Sequence, residues 1–389
     1  MLRHLRPLPS RHAIADFILC HCLPLGWFAL LTGLFWVGDR TRYHSLYYLC
    51  LAAPTALVLL LQPRWLTTLR PIGLVRLFLL FAAYMLLSLA WSDSTDSLLG
   101  LSKRPLYIAL LFATVVMLSH RAPTRLIQAS NAAAWVAVAA ALLSIARYWA
   151  GDDHQRLPGY GALYNPLLSA HVYGFFAAYW LCRWYRQANA WHWPSLLALG
   201  VLGALLLLTG SRTPLMALAA CLLWLGLLHW RRRLWLFVPG AVLMVLAWQL
   251  LPTEGVLSRG LSYRPAIWAE VWRQMDGHLL VGHGLGSPQV FKVAGLPEAL
   301  ADTHNMELGV LFEGGLLGLG LWLLLYGHAL VYAWRQRQRT EVLMASTLVV
   351  FGLVAGFTEG SAFFSRPKEH WFLLWIPLAL LAAPRPKQA

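Results

Sequence analysis

Apolar residues run through this chain in blocks close to the roughly 20 residues that cross a bilayer core, separated by short polar connections. The blocks predict about twelve membrane-spanning helices, near 17–37, 45–62, 73–91, 105–119, 128–149, 166–182, 191–210, 213–229, 234–251, 308–334, 341–357 and 370–384. The block at 105–119 is short, so its helix is expected to start earlier and to carry Lys103 and Arg104 at its mouth. The fold class implied is an all-α polytopic membrane protein, one membrane domain over residues 1–389.

One connection departs from the pattern. Residues 252–304, between the ninth and tenth blocks, form a loop far longer than its neighbours, and long loops in compact folds are often functional. Inside it Pro265 suits a first helical position. Ile267, Trp268, Val271, Trp272 and Met275 then make an apolar stripe at helical spacing. Two placements fit: a helix lying along the membrane interface with its tryptophans at headgroup level, or one packed on the bundle. Both keep Arg264 near the membrane surface.

The composition agrees, with 59% hydrophobic and only 12% charged residues. A formal net charge of +15 would suit a nucleic-acid binder, but its distribution points elsewhere. With the N-terminus inside, basic residues mark every cytoplasmic connection: Arg3, Arg6 and Arg11; Arg64, Arg70 and Arg76; Arg121 and Arg125; Arg183 and Arg186; Arg231 to Arg233; Arg335, Arg337 and Arg339; Arg385 and Lys387. Asp16 and Glu341 are the acids on that side. This is the positive-inside bias; it places both termini in the cytoplasm and the 252–304 loop outside. The basic excess then serves orientation and contact with anionic membrane lipids.

The connections offer no room for a nucleotide-binding domain, and no P-loop is present. Gly282-His283-Gly284-Leu285-Gly286-Ser287 lacks the spacing and strand context of a dinucleotide site and reads as a flexible turn. Neither nucleic acid, nucleotide nor other cofactor is expected. The basic start leads into an apolar run too long for a signal-peptide core, so it reads as a first span left in place. The five cysteines, Cys20, Cys22, Cys50, Cys182 and Cys221, fall in or at the ends of spans and read as small buried hydrophobes rather than a disulfide framework.

Ionisable groups where a polar loop re-enters an apolar segment are costly to keep, which makes them candidates for chemistry. Asp302-Thr303-His304-Asn305-Met306-Glu307 is such a place. His304 has three readings: a general base, a metal ligand, or a structural histidine. Asp302-x-His304-x-x-Glu307, even with His278 and His283 upstream, matches no strong metal motif, and no metal is expected. Glu307 and Glu313 could orient His304 or fix loop to helix. Arg212 stands in the tight link Thr209-Gly210-Ser211-Arg212-Thr213-Pro214. Ser211 or Thr213 can cap the next helix and Pro214 can open it. Such a helix N-terminus, with a guanidinium fork beside it, suits phosphate; the plainer reading is an arginine reaching lipid headgroups. Lys103, Arg104, Arg156, Arg264, Arg366 and Lys368 are further outer-face charges. Singly each reads as a solvated group, and together they suggest a cationic vestibule for an anionic, lipid-linked substrate.

In this arrangement the chain resembles the O-antigen ligase family of Gram-negative bacteria, within a wider ligase and polymerase superfamily. The resemblance rests on Trp91-Ser92-Asp93; Arg156-Leu157-Pro158-Gly159 followed by Asn165-Pro166; Gly210-Ser211-Arg212; Arg264-x-x-Ile267-Trp268; Gly282-x-Gly284-x-Gly286-Ser287; and His304-Asn305 with Glu313-Gly314. It implies the helical fold of C-type membrane glycosyltransferases. It also implies transfer of a glycan from undecaprenyl pyrophosphate to the lipid A–core oligosaccharide, on the periplasmic face of the bacterial inner membrane, in lipopolysaccharide biosynthesis. By motif, Arg212 and Arg264 would bind the pyrophosphate and His304 would activate the acceptor. Arg259 is a second candidate for the position of Arg264, and Arg156, Lys103, Arg104, Arg366 and Glu313 would contribute to substrate binding. The same superfamily contains O-antigen polymerases and protein O-oligosaccharyltransferases. A transporter of lipid-linked glycans is the non-enzyme alternative, though its ionisable groups would gather at the midplane and an internal repeat would be expected.

Overall fold

The computed structural model describes residues 10–151, 156–187, 191–229, 237–249, 263–293 and 298–383. Helix lies on every block expected to span, and there is no strand among the described residues, only an isolated bridge between Phe291 and Leu300. Six helices are long and apolar enough to cross a membrane: Arg11–Phe35, Arg40–Leu61, Gly73–Trp91, Leu98–Arg121, Pro123–Ala150 and Met306–Arg335. Trp193–Leu208, Arg212–Leu228, Thr340–Gly356 and His370–Ala382 are shorter apolar helices. The helix over 105–119 does begin early, at Leu98, with Lys103 and Arg104 ahead of an internal Pro105.

Burial follows the local pattern. The last helix is apolar on all sides and is enclosed by its neighbours, with Trp371 and Trp375 fully covered. Pro166–Arg186 is buried along most of its length and packs against Trp193–Leu208 and Thr340–Gly356. The outer helices instead leave large apolar side chains uncovered, among them Leu25, Leu49, Leu60 and Leu143, as a lipid-facing surface requires.

Within the long connection, residues Arg264–Gln274 form the expected helix. Its apolar stripe packs on the protein. Ile267, Val271 and Met275 are buried against Phe291, Val293, Leu311 and Phe312 in a small core of their own. Trp272 is left exposed, while Trp268 donates from Nε1 to the Thr303 carbonyl at 3.0 Å.

The Met306–Arg335 helix breaks at Gly315 (φ 61°, ψ −165°). The backbone groups freed there are taken up by the long connection: Leu316 and Leu317 donate to the carbonyls of Leu279 and Leu280, and His283 and Gly284 donate to those of Phe312 and Glu313. Only glycine fits this corner, since a Cβ would come within 2.4 Å of the Leu280 carbonyl oxygen. The Gly282–Ser287 stretch, expected to be a flexible turn, is thus pinned to the broken helix. The connection is thereby anchored where the chain turns back toward His304.

Candidate active site

The His304 loop is held from several sides. Asn305 caps the following helix, its Oδ1 accepting from Leu308 N at 2.9 Å, and its Nδ2 donates to the Phe357 carbonyl at 3.0 Å. Thr303 Oγ1 donates to the Asn305 carbonyl at 2.7 Å. Asp302 Oδ1 accepts from the His304 backbone N at 2.7 Å. Among the described residues His304 alone, apart from glycines, has a positive φ, 47°. Such a conformation costs about 1–3 kcal/mol and persists where the surroundings over-determine it, commonly at functional sites.

Glu359 organises what lies around the imidazole. It follows the Thr340–Gly356 helix and is 2% exposed. Its Oε1 accepts from Arg264 Nη2, and its Oε2 lies 3.8 Å from His304 Nδ1, an ion-pair rather than a hydrogen-bond separation. Interaction with Glu359 holds the His304 pKa above its ordinary value, against the lowering effect of burial and with a further raising effect from Asp302. The preceding residue, Thr358, shares a hydrogen bond with Thr213 (Oγ1 to Oγ1, 2.8 Å), tying the Glu359 turn to the start of the Arg212–Leu228 helix.

That helix start is built as the sequence suggests, with one difference. Gly210 makes the turn at φ 62°, and Arg212 opens the helix. Ser211 stands at the cap position but makes no capping bond; its Oγ accepts instead from Arg156 Nη2 at 3.1 Å. Arg156 Nε also donates to the Thr209 carbonyl at 2.8 Å, closing the end of the preceding helix. The Ser211 side chain therefore leaves this helix start uncapped, and a helix N-terminus of this kind suits an anion. Arg212 is half-buried and lies within electrostatic reach of both Arg264 and Arg156. Arg264 is thus joined to His304 through the buried Glu359 carboxylate, while Arg156 and Arg212 gather at the helix start, with Arg212 within electrostatic reach of Arg264.

The remaining sequence candidates fall elsewhere. Glu313 is buried in the broken helix, where it accepts from the Gly286 backbone N at 3.1 Å and lies 3.5 Å from Gln289 Nε2, so it fastens the glycine-rich turn. Glu307 lies on the side of Trp322 and Tyr326, brought near by the Gly315 break. Arg104 pairs with Asp96 at 2.7 Å and lines a separate cavity together with Arg366. Lys103 is exposed and lines neither cluster. Arg259 lies outside the described residues. Among the described residues no three His, Cys, Asp or Glu side chains gather as a metal-holding group.

Sequence reasoning passed over Glu359, His171 and His370. Both histidines are buried with neither ring nitrogen hydrogen-bonded, and both lie within electrostatic reach of this cluster. The available signal was a carboxylate, Thr358-Glu359-Gly360, stranded between two apolar blocks. A cavity of about 340 Å³ near Arg183, Arg186 and Glu341 is lined mostly by apolar side chains and by none of the residues above, so it is no part of this site.

The sequence pattern of the O-antigen ligase family matches residues 196–323, which include Arg212 and Arg264 and reach past His304. A protein of Pseudomonas aeruginosa named O-antigen ligase is 49% identical over 373 residues, covering 96% of this chain and 93% of the relative. The chain belongs to the O-antigen ligase family. Identity spread over nearly the whole length extends the relationship to the helical scaffold as well as the loop motifs. As a member of this family the protein is a helical membrane protein associated with lipopolysaccharide biosynthesis.

Proposed function

We propose that this protein is a glycosyltransferase that moves a glycan from undecaprenyl pyrophosphate to the lipid A–core oligosaccharide. It does so on the periplasmic face of the bacterial inner membrane, with about twelve spans and both termini in the cytoplasm. Supporting that orientation, the basic clusters lie in the connections opposite to His304, as the positive-inside bias requires. The observation that carries the reading is the chain of groups from Arg156 and Arg212 at the helix start to Arg264, which shares the buried Glu359 with His304.

The chemistry follows from these groups. Attack by an acceptor hydroxyl on the anomeric carbon expels a lipid pyrophosphate. Charge grows on the leaving diphosphate, and guanidinium forks with helix N–H groups stabilise it without reorganisation. The hydroxyl loses its proton to His304. With Nδ1 turned toward Glu359, the tautomer protonated there leaves Nε2 as the acceptor, and the Glu359 carboxylate stabilises the imidazolium that forms. A single displacement inverts the anomeric centre. The bond to pyrophosphate supplies the driving force, so the residues present suffice without nucleotide or metal.

The test is transfer by purified protein, with lipid-linked glycan and lipid A–core, in detergent with chelator and without an ion gradient. Modified lipid A–core is the expected product, and its absence would refute the reading. In cells, loss of the gene should leave bare core and accumulate full-length polymer on its lipid carrier. A core bearing one repeat would indicate a polymerase instead.

A further inference from the structure

A second group of charges gathers apart from the Glu359 cluster. Arg40, Arg104, Arg366 and Lys368 line one cavity of about 380 Å³ with His44 and Asp96. They come from three separate parts of the chain: the start of the Arg40–Leu61 helix, the Leu98–Arg121 helix, and the connection before the last helix. Arg40 is clasped by buried Glu369, with Nη2 and Nε at 2.9 and 3.1 Å from Oε1. Arg104 pairs with Asp96 at 2.7 Å. Arg366 and Lys368 make no ion pair among the described residues, and Arg366 is exposed. Four cations against the carboxylates of Asp96 and Glu369 leave the cavity a positive surplus. Burial lowers the Lys368 pKa, and Arg40 and Arg104 add to that, while Glu369 and Asp302 oppose it. A bound anion would relieve the cost of gathering these charges.

The cavity is linked to the site through Lys368 and His370. Lys368 is within electrostatic reach of Asp302, whose carboxylate holds the His304 backbone. His370, two residues on, is within reach of Lys368, Arg40, His171 and His304. His304 is thus near two cationic groups, one reached through Glu359 and Arg264 and the other through Asp302, Lys368 and His370. Displacement at an anomeric carbon needs the nucleophile opposite the leaving group. An anion site near His304, built from residues other than the diphosphate arginines, suits the incoming molecule.

We propose that this second cavity is an anion subsite that takes a phosphoryl group carried by the acceptor glycolipid and so brings the acceptor hydroxyl to His304. The proposal rests on the ligase reading for the identity of the acceptor. Arginine forks and a lysine suit a phosphoryl oxygen set. A phospholipid headgroup offers the same chemistry, and the two sources are separable by experiment.

Purified full-length protein in phosphatidylcholine nanodiscs would be titrated with lipid A–core in the absence of donor. The phosphorylated acceptor should bind about ten-fold tighter than the same molecule after dephosphorylation, a difference of about 1.4 kcal/mol. Arg366→Gln combined with Lys368→Gln should abolish that preference while the melting temperature stays near wild type. The exposed Arg366→Gln alone should remove part of it and serves if the double variant folds poorly. Excess phosphatidylglycerol should leave acceptor binding intact. Equal binding of both acceptor forms by the wild type would overturn the proposal. So would an undiminished preference in the variants, or displacement of the acceptor by phosphatidylglycerol, which would make this a headgroup site. Phosphate-dependent binding without transfer in a parallel turnover assay would refute the ligase reading and leave the anion subsite standing.

Discussion

Glu359 Oε2 lies 3.8 Å from His304 Nδ1 while Oε1 of the same carboxylate accepts from Arg264. One buried acid therefore sets the position of the candidate phosphate-binding arginine and the basicity of the candidate base. Replacing it should disturb both. In Glu359→Gln the His304 pKa should fall toward or below its ordinary value, and the acidic limb of the pH–rate profile should move to lower pH. Transfer rates measured from about pH 5 to 9 test this; an unmoved limb would disconnect Glu359 from the proton acceptor.

The same pair gives a stability term of fixed sign. The folded-state His304 pKa is raised, so the stabilisation from charged His304 is fully present below the ordinary histidine pKa, about 6.5. It is lost as pH rises through the raised folded value. Catalysis runs the other way, because the base must be neutral. Thermal melts of wild type and His304→Ala across this interval should converge as pH rises, while wild-type transfer increases.

His304→Ala should leave the protein folded and reduce transfer by about 10²–10⁴-fold, the usual worth of a general base. The left-handed backbone at His304 is retained by the Thr303, Asn305 and Asp302 hydrogen bonds rather than by the imidazole. A well-expressed His304→Ala protein that ligates glycan normally would remove the residue from this role.

Arg212→Lys keeps the charge and loses the planar fork. Transfer should fall by about 10²–10³-fold, comparable to removing one donor from a preorganised anion site. Lysine performing as well as arginine would mean that bidentate recognition is the wrong description of this position.

Gly315→Ala should act on the scaffold. A Cβ there would approach the Leu280 carbonyl oxygen to 2.4 Å at a positive φ, so the anchor of the long connection should loosen. The expected result is a lower melting temperature together with weakened transfer. A wild-type melt would show that the corner accepts a side chain.

Helix positions, the early start at Leu98 and the helix at Arg264–Gln274 were legible, because each depends on spacing within a short stretch of chain; His304, Arg212 and Arg264 stood out as candidates from the same local reading. Glu359 was not, since its meaning comes from Arg264 and His304, which are far away in sequence. Glu313 was legible as an acid at a boundary but not as the clasp of the glycine-rich turn, because its partner, the Gly286 amide, is a backbone group that no residue pattern marks.

By itself the order of residues determined that this chain is a bundle of apolar helices with its cations and one histidine gathered at loop ends. Hydrophobic period and charge placement are local properties, and they survive being read one segment at a time. Only the tertiary structure decided which of those charges share a cavity and which acid joins Arg264 to the imidazole. Electrostatic partnership depends on distances of a few ångströms between groups far apart along the chain, and packing alone sets those distances.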